Sequence, residues 1–206
     1  SMRMDAGLRN SGTLDGLALA AMPGVSVDSP PDFMAVWTEF KDSGEAVIWG
    51  RRGTLGGLGV IQLDTAAQIV SRNSGGILEY APQVVFDPDT GAAQVAWQVA
   101  SGPASAVVFR QQRLLNGPWD NFVQASNVFL GNAGRPALIS ADARAYGASP
   151  GSRATWLGWQ QAGEVWVSKV ENGVVAPRQS LGMGSMMDPQ TKPSMVADWF
   201  GNAMVA

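Results

Sequence analysis

A proline, an apolar stretch and an aspartate recur down this chain: Pro23-Gly-Val-Ser-Val-Asp28, Pro82-Gln-Val-Val-Phe-Asp87, Pro136-Ala-Leu-Ile-Ser-Ala-Asp142 and Pro193-Ser-Met-Val-Ala-Asp198. The prolines are 59, 54 and 57 residues apart. Self-similarity at this period marks a chain assembled from units that cannot bury their apolar faces alone and must stack.

Each copy continues in the same order. After the Asp comes a turn rich in Gly, Pro and Asp, such as Asp87-Pro-Asp-Thr-Gly91, then an apolar stretch ending in Trp37, Trp97 or Trp159. A short polar connection leads to a third stretch ending in a basic residue, at Arg51, Arg110 or Lys169, each 59 residues from the next. The pairs Gly56-Gly57, Asn116-Gly117 and Asn172-Gly173 follow, which tolerate positive φ in a tight hairpin, and a fourth stretch is marked by Ser71, Ser126 and Ser180.

Four short strands of β-branched and aromatic residues per repeat, with no amphipathic run long enough for a helix, predict an all-β fold. A sandwich or jelly roll also spaces strands this way, but neither requires whole four-strand units to resemble one another. The expectation is a β-propeller of four-stranded antiparallel blades. Residues 1–22 would end a preceding blade, 23–81, 82–135 and 136–192 would form three blades, and 193–206 half of a fourth. About three and a half blades leave open edges, so self-association to complete the ring is the expected partner relationship.

Composition narrows the chemistry. The chain has no Cys and no His, which removes disulfides, thiolate nucleophiles, imidazole bases and the two commonest zinc ligands. A net charge of −3 with only 15% charged residues offers no field for a nucleic-acid backbone. No apolar run reaches membrane-spanning length, and no signal peptide is visible. Asp87 to Gly91 has the start of a calcium loop without its further oxygen ligands and terminal Glu, so neither a metal nor another cofactor is expected.

Three residue series invite a role. Trp37, Trp97 and Trp159 sit at one position of the repeat, as seam-filling core would. Asp28, Asp87, Asp142 and Asp198 close the first strand, where a carboxylate accepts hydrogen bonds from the following turn. Arg51, Arg110 and Lys169, with Arg52 and Arg113 as further members, would form a ring for carboxylate or phosphate groups if their side chains share a face.

The Pro, Asp and Trp pattern over residues 5–206 resembles bacterial exported propellers of the sialidase-like and lectin-like kind. The sialidase Asp-box, Ser-x-Asp-x-Gly-x-x-Trp, is not matched, because Ser140-Ala-Asp142 runs on without the required Gly and Trp. The resemblance implies ligand contacts from loops on one face, which adds Asp42, Asn73, Tyr80, Asn132 and Arg135 to the candidates. It implies a secreted, extracellular or periplasmic setting and a glycan or anionic small molecule as ligand. The function read from these features is a non-catalytic binding or scaffold propeller that recognises carbohydrate through inter-blade loops. The alternatives are a fragment of a sialidase-like glycoside hydrolase, whose two carboxylates would flank the scissile bond, and a structural oligomerisation module.

Overall fold

Strand alternation dominates the computed structural model, which describes residues 13–22, 32–56, 60–64, 66–71, 77–87, 89–112, 117–141, 154–182, 193–197 and 202–205. Among these residues every regular element is a strand, apart from one 3-10 turn at Val128–Leu130. The first unit comprises β1 (Thr13–Ala21), β2 (Asp32–Phe40) and β3 (Ala46–Leu55), with short β4 (Ile61–Leu63) and β5 (Gln68–Ile69) both pairing with β3. The second comprises β6 (Leu78–Phe86), β7 (Ala93–Ser101), β8 (Ala104–Gln112) and β9 (Val123–Gln124). The third has β10 (Ala137–Ala141), β11 (Ala154–Gln161) and β12 (Glu164–Glu171), with β13 (Val174–Val175) and β14 (Gln179–Ser180) on β12. A final pair, β15 (Met195–Ala197) and β16 (Ala203–Val205), follows.

All pairings inside a unit are antiparallel, and among the described residues the one strand pairing between the first two units is the parallel pair Ala46↔Leu78. The repeat is therefore structural as well as sequential. Its register confirms this: Trp37 lies opposite Trp49, Trp97 opposite Val108 and Trp159 opposite Trp166. β1 and β6 even share a bulge, between Asp15 and Ala18 and between Tyr80 and Gln83. The bulged residues are Gly16 at φ 62° and Ala81 at φ 53°, the left-handed conformation that an extra residue in one strand demands. A side chain at Gly16 would press on the Pro82 ring, 3.2 Å from a Cβ placed there, so glycine is favoured at this position.

The shared bulge locates the first strand of the first unit at Thr13–Ala21, where it pairs along β2. The sequence pattern expected that strand at Pro23–Asp28, a segment that lies outside the described residues together with Asp142 and Asp198.

Alternation of side chains on each strand builds three apolar layers, one per neighbouring pair of units. Met34, Val36, Ile48 and Val70 of the first unit meet Val84, Phe86, Val95 and Trp97 of the second. Ala96, Val107 and Phe109 of the second meet Leu138, Leu157 and Trp159 of the third. Ala137 and Val167 meet Met195 of the last pair. Trp97 and Trp159 are each 0% exposed, and an aromatic of this size contributes roughly 4–6 kcal/mol of burial as an upper bound.

The indole nitrogens show how the repeat has diverged. Trp97 Nε1 donates to Glu79 Oε1 at 3.3 Å and Trp159 Nε1 to Gln161 Oε1 at 3.4 Å. Trp37 is buried, yet its Nε1 has no partner among the described residues, because the position in register with Glu79 is Leu14.

Candidate functional site

The hairpin turns Lys41–Glu45, Ser101–Ala104 and Gln161–Glu164 all lie at the end of the units where the first strands begin, as the pairs Leu78↔Ala100 and Ala46↔Leu78 fix. Between first strands of neighbouring units a cleft of about 320 Å³ opens, lined by Gln83 from β6, Ala137, Leu138 and Ile139 from β10, and Pro193, Ser194 and Met195 from the last pair. Its polar groups are the neutral Gln83 amide and the hydroxyl of the exposed Ser194. Leu138, Ile139, Pro193 and Met195 give it apolar walls beside these polar groups, and among the described residues no carboxylate or cation lines it. Such a surface suits a neutral ligand that offers hydroxyls and C–H faces together.

Four of the sequence candidates gather at this same end. Asp42 sits exposed in the first hairpin turn, flanked by the Lys41–Glu45 ion pair at 3.5 Å. Tyr80 is the third residue of the second unit's first strand, and Arg135 lies two residues before the third unit's. Burial raises the Tyr80 pKa above 10.0, with the nearby Arg135 guanidinium acting against that rise. Asn132 Oδ1 accepts from Ser105 N at 3.0 Å, which ties the connecting segment to the second hairpin.

The segment from Asn127 to Arg135 is held by glutamines. Gln161 is 1% exposed, and its Nε2 donates to Asn127 O at 2.6 Å and Gly131 O at 2.7 Å, while its Oε1 accepts from Asn127 N at 3.1 Å. Gln98 Nε2 donates to Ala133 O at 2.9 Å. Sequence reasoning passed over these glutamines. Their signal was a Gln recurring just after the repeated Trp, at Gln98, Gln160 and Gln161.

The basic series does not assemble into a ring. Arg51 donates through Nε and Nη2 to Asp64 O, at 2.9 and 2.6 Å. Arg110 does the same to Asp120 O through Nε and reaches Val70 O of the first unit at 2.6 Å through Nη1. Both therefore fasten the connection between third and fourth strands. Two residues beyond the Trp159↔Trp166 pair, the place of Arg51 and Arg110 is taken by Ser168, whose Oγ donates to Ala176 O. Lys169 is one residue further on, and a one-residue slip turns a side chain to the opposite face of the sheet. It pairs there with Glu171.

Arg52 is 6% exposed in the first seam. Its Nε donates to Gln112 Oε1 at 3.0 Å, and its guanidinium stacks over Phe86 at 5.5 Å. Desolvation lowers its pKa, with Asp32 and Asp64 opposing. Asp87 is likewise structural: its Oδ1 accepts from Asp89 N and Thr90 N, and its Oδ2 from Gln94 Nε2. Asn73 and Arg113 lie outside the described residues.

Among the described residues no three Asp or Glu side chains cluster as a metal ligand set would. No helix is long and apolar enough to cross a membrane.

Comparison with known proteins adds little. No family model and no curated protein matches the chain. A solved structure of a GH43 β-1,3-galactosidase with galactodeoxynojirimycin resembles it at TM-score 0.49 and 9% identity, over 87% of this chain and 65% of that one. The chain thus spans less than two thirds of that protein, and the likeness lies in an all-β architecture.

Proposed function

We propose that this chain is a non-catalytic binding module whose units stack as propeller blades, and that it holds a hydroxyl-rich, uncharged portion of a carbohydrate ligand in the cleft between the first strands. The observation that carries this reading is the lining itself, an amide and a hydroxyl set against Ile139 and Pro193, with no carboxylate among the described lining residues to act as acid or nucleophile. Blade boundaries would fall near 81/82, 135/136 and 192/193, with the first blade extending back to Thr13.

Stacking also accounts for which apolar side chains are left uncovered. Val84 and Leu138 face the preceding unit and are each 7% exposed, whereas Leu19, in register with them, is 62% exposed. Val85 and Ile139 pack toward the following unit, while Val196 of the last pair is 54% exposed. In this reading the two uncovered positions meet on a second copy of the chain, and light scattering should return twice the monomer mass. A monomeric mass would remove the assembly part without touching the cleft.

The cleft is tested by calorimetric titration with neutral oligosaccharides before and after Ser194→Trp. Ser194 is exposed, so the indole fills the cleft without disturbing the core. Saturable binding by the parent chain and at least tenfold weaker binding by the variant is the expected result. Undiminished binding by the variant would place the ligand elsewhere.

A further inference from the structure

Phe129 is 91% exposed, the most exposed large apolar side chain among the described residues. Single exposed apolar residues are ordinary on a protein surface, and most sit on turns free to fold them away. Phe129 is held out instead. Its own N–H donates to Asn127 Oδ1 at 3.1 Å, and Leu130 N donates to Asn127 O at 3.0 Å. The flanking backbone at Asn127 and Gly131 is clamped from the third unit by the buried Gln161. Beyond it Ala133 bridges to Gln161, and Gly134 N donates to Gln160 O at 2.6 Å.

The same segment carries two polar groups facing solvent. Asn132 is exposed, and only its Oδ1 is engaged, leaving its amide N–H groups without a partner among the described residues. Arg135 is exposed and has no hydrogen bond or ion pair among the described residues, beyond its electrostatic influence on Tyr80. It offers the planar fork that matches a carboxylate.

We infer that the segment from Phe129 to Arg135 is a second ligand-contacting surface, on which Phe129 stacks against a sugar ring and Arg135 takes the carboxylate of an acidic sugar, so that the preferred ligand is a uronate-containing oligosaccharide. The two anchors are separated by six residues, which span at most about 20 Å. An oligosaccharide is long enough to reach both anchors anywhere within that span. A rigid aromatic keeps the ordering cost of binding low, because its position is set before the ligand arrives. This inference rests on the proposed carbohydrate-binding reading and adds the surface and the acidic preference.

The experiment is a calorimetric titration of the full chain with oligogalacturonate and with the neutral oligogalactoside of the same length, at low and moderate salt. The parent chain should bind the acidic form at least tenfold more tightly, with the difference shrinking as salt rises. Phe129→Ala should weaken both by about 3- to 10-fold with an unchanged melting temperature, and Phe129→Tyr should restore them. Arg135→Gln should abolish the preference for the acidic form. Equal affinity for the two ligands in the parent chain overturns the acidic preference, and binding untouched by Phe129→Ala overturns the surface. In both cases neutral binding that Ser194→Trp removes would leave the cleft reading standing; no binding of either sugar would overturn both.

Discussion

The seam between the first and second units and the seam between the second and third share one apolar register and place their side-chain ties at opposite ends, while the backbone pair Ala46↔Leu78 joins the first seam at its hairpin end as well. In the first, the ties lie where the third strands finish: Arg52 on Gln112, Gln112 on Gln68 at 2.9 Å, and Arg110 on Val70. In the second they lie at the hairpin end, where Gln98, Ser105 and Gln161 hold the segment that enters the third unit. The apolar layer, Trp97 in one seam and Trp159 in the other, is common to both. Stacking is thus set by the repeat, while the polar ties are local and are free to serve a site. The tie at the hairpin end is the one that fixes the candidate ligand surface.

The comparison breaks first at the tryptophans. Trp97→Ala and Trp159→Ala should each cost about 3–5 kcal/mol in denaturant unfolding, since both are fully buried and leave a cavity in a seam. A loss at Trp159 less than half that at Trp97 would show that the two seams are not equivalent.

Next come the ties themselves. Arg52→Met leaves the Gln112 carbonyls without their donor, and Gln161→Leu strips Asn127 and Gly131 of theirs, so each should cost about 1–3 kcal/mol. Amide hydrogen exchange sharpens the contrast. Faster exchange should appear near the end of β8 in the first variant and from Asn127 to Gly134 in the second. Exchange spread evenly over both seams would contradict local fastening.

A smaller effect is expected at Tyr80. Its folded pKa is raised, so the folded chain keeps a proton that the unfolded chain releases. The stability this contributes is present below the ordinary phenol value of about 10 and is lost as pH rises through the folded value. Arg135→Gln removes the opposing cation and should move the phenol titration higher still. Ultraviolet titration in a Tyr146→Phe background reads this directly, and a downward shift would contradict the placement of Arg135 beside Tyr80.

The smallest change is Lys169→Met. Its pair with Glu171 is partly exposed, so the loss should stay below about 0.5 kcal/mol. A cost equal to that of removing Arg110 would restore the idea of a three-membered basic series.

Lys169 also shows where sequence reading stops. The spacing of 59 residues from Arg110 is real, but the hairpin between second and third strands is shorter in the third unit, so equal spacing along the chain no longer means equal register. Period-two alternation then turns one missing residue into a change of face. The tryptophans were legible because their seam position is the most strongly selected by burial in each unit. That Thr13–Ala21 pairs along β2 as Leu78–Phe86 does along β7 was not legible, because the bulge at Gly16 and the absence of a proline at Leu17 hide its likeness to Ala81-Pro82. The cleft was not legible at all, since it is made by Gln83, Ile139 and Ser194 from three units, and no local pattern joins them.

The central claim is that the chain binds sugar and does not cut it. The most direct test incubates the chain with oligosaccharides at saturating concentration and follows both bound fraction and ligand length by chromatography over hours. The account predicts saturable binding with the ligand recovered intact. Shortened sugars, formed at a rate that Ser194→Trp abolishes, would contradict it and make the same cleft an active site.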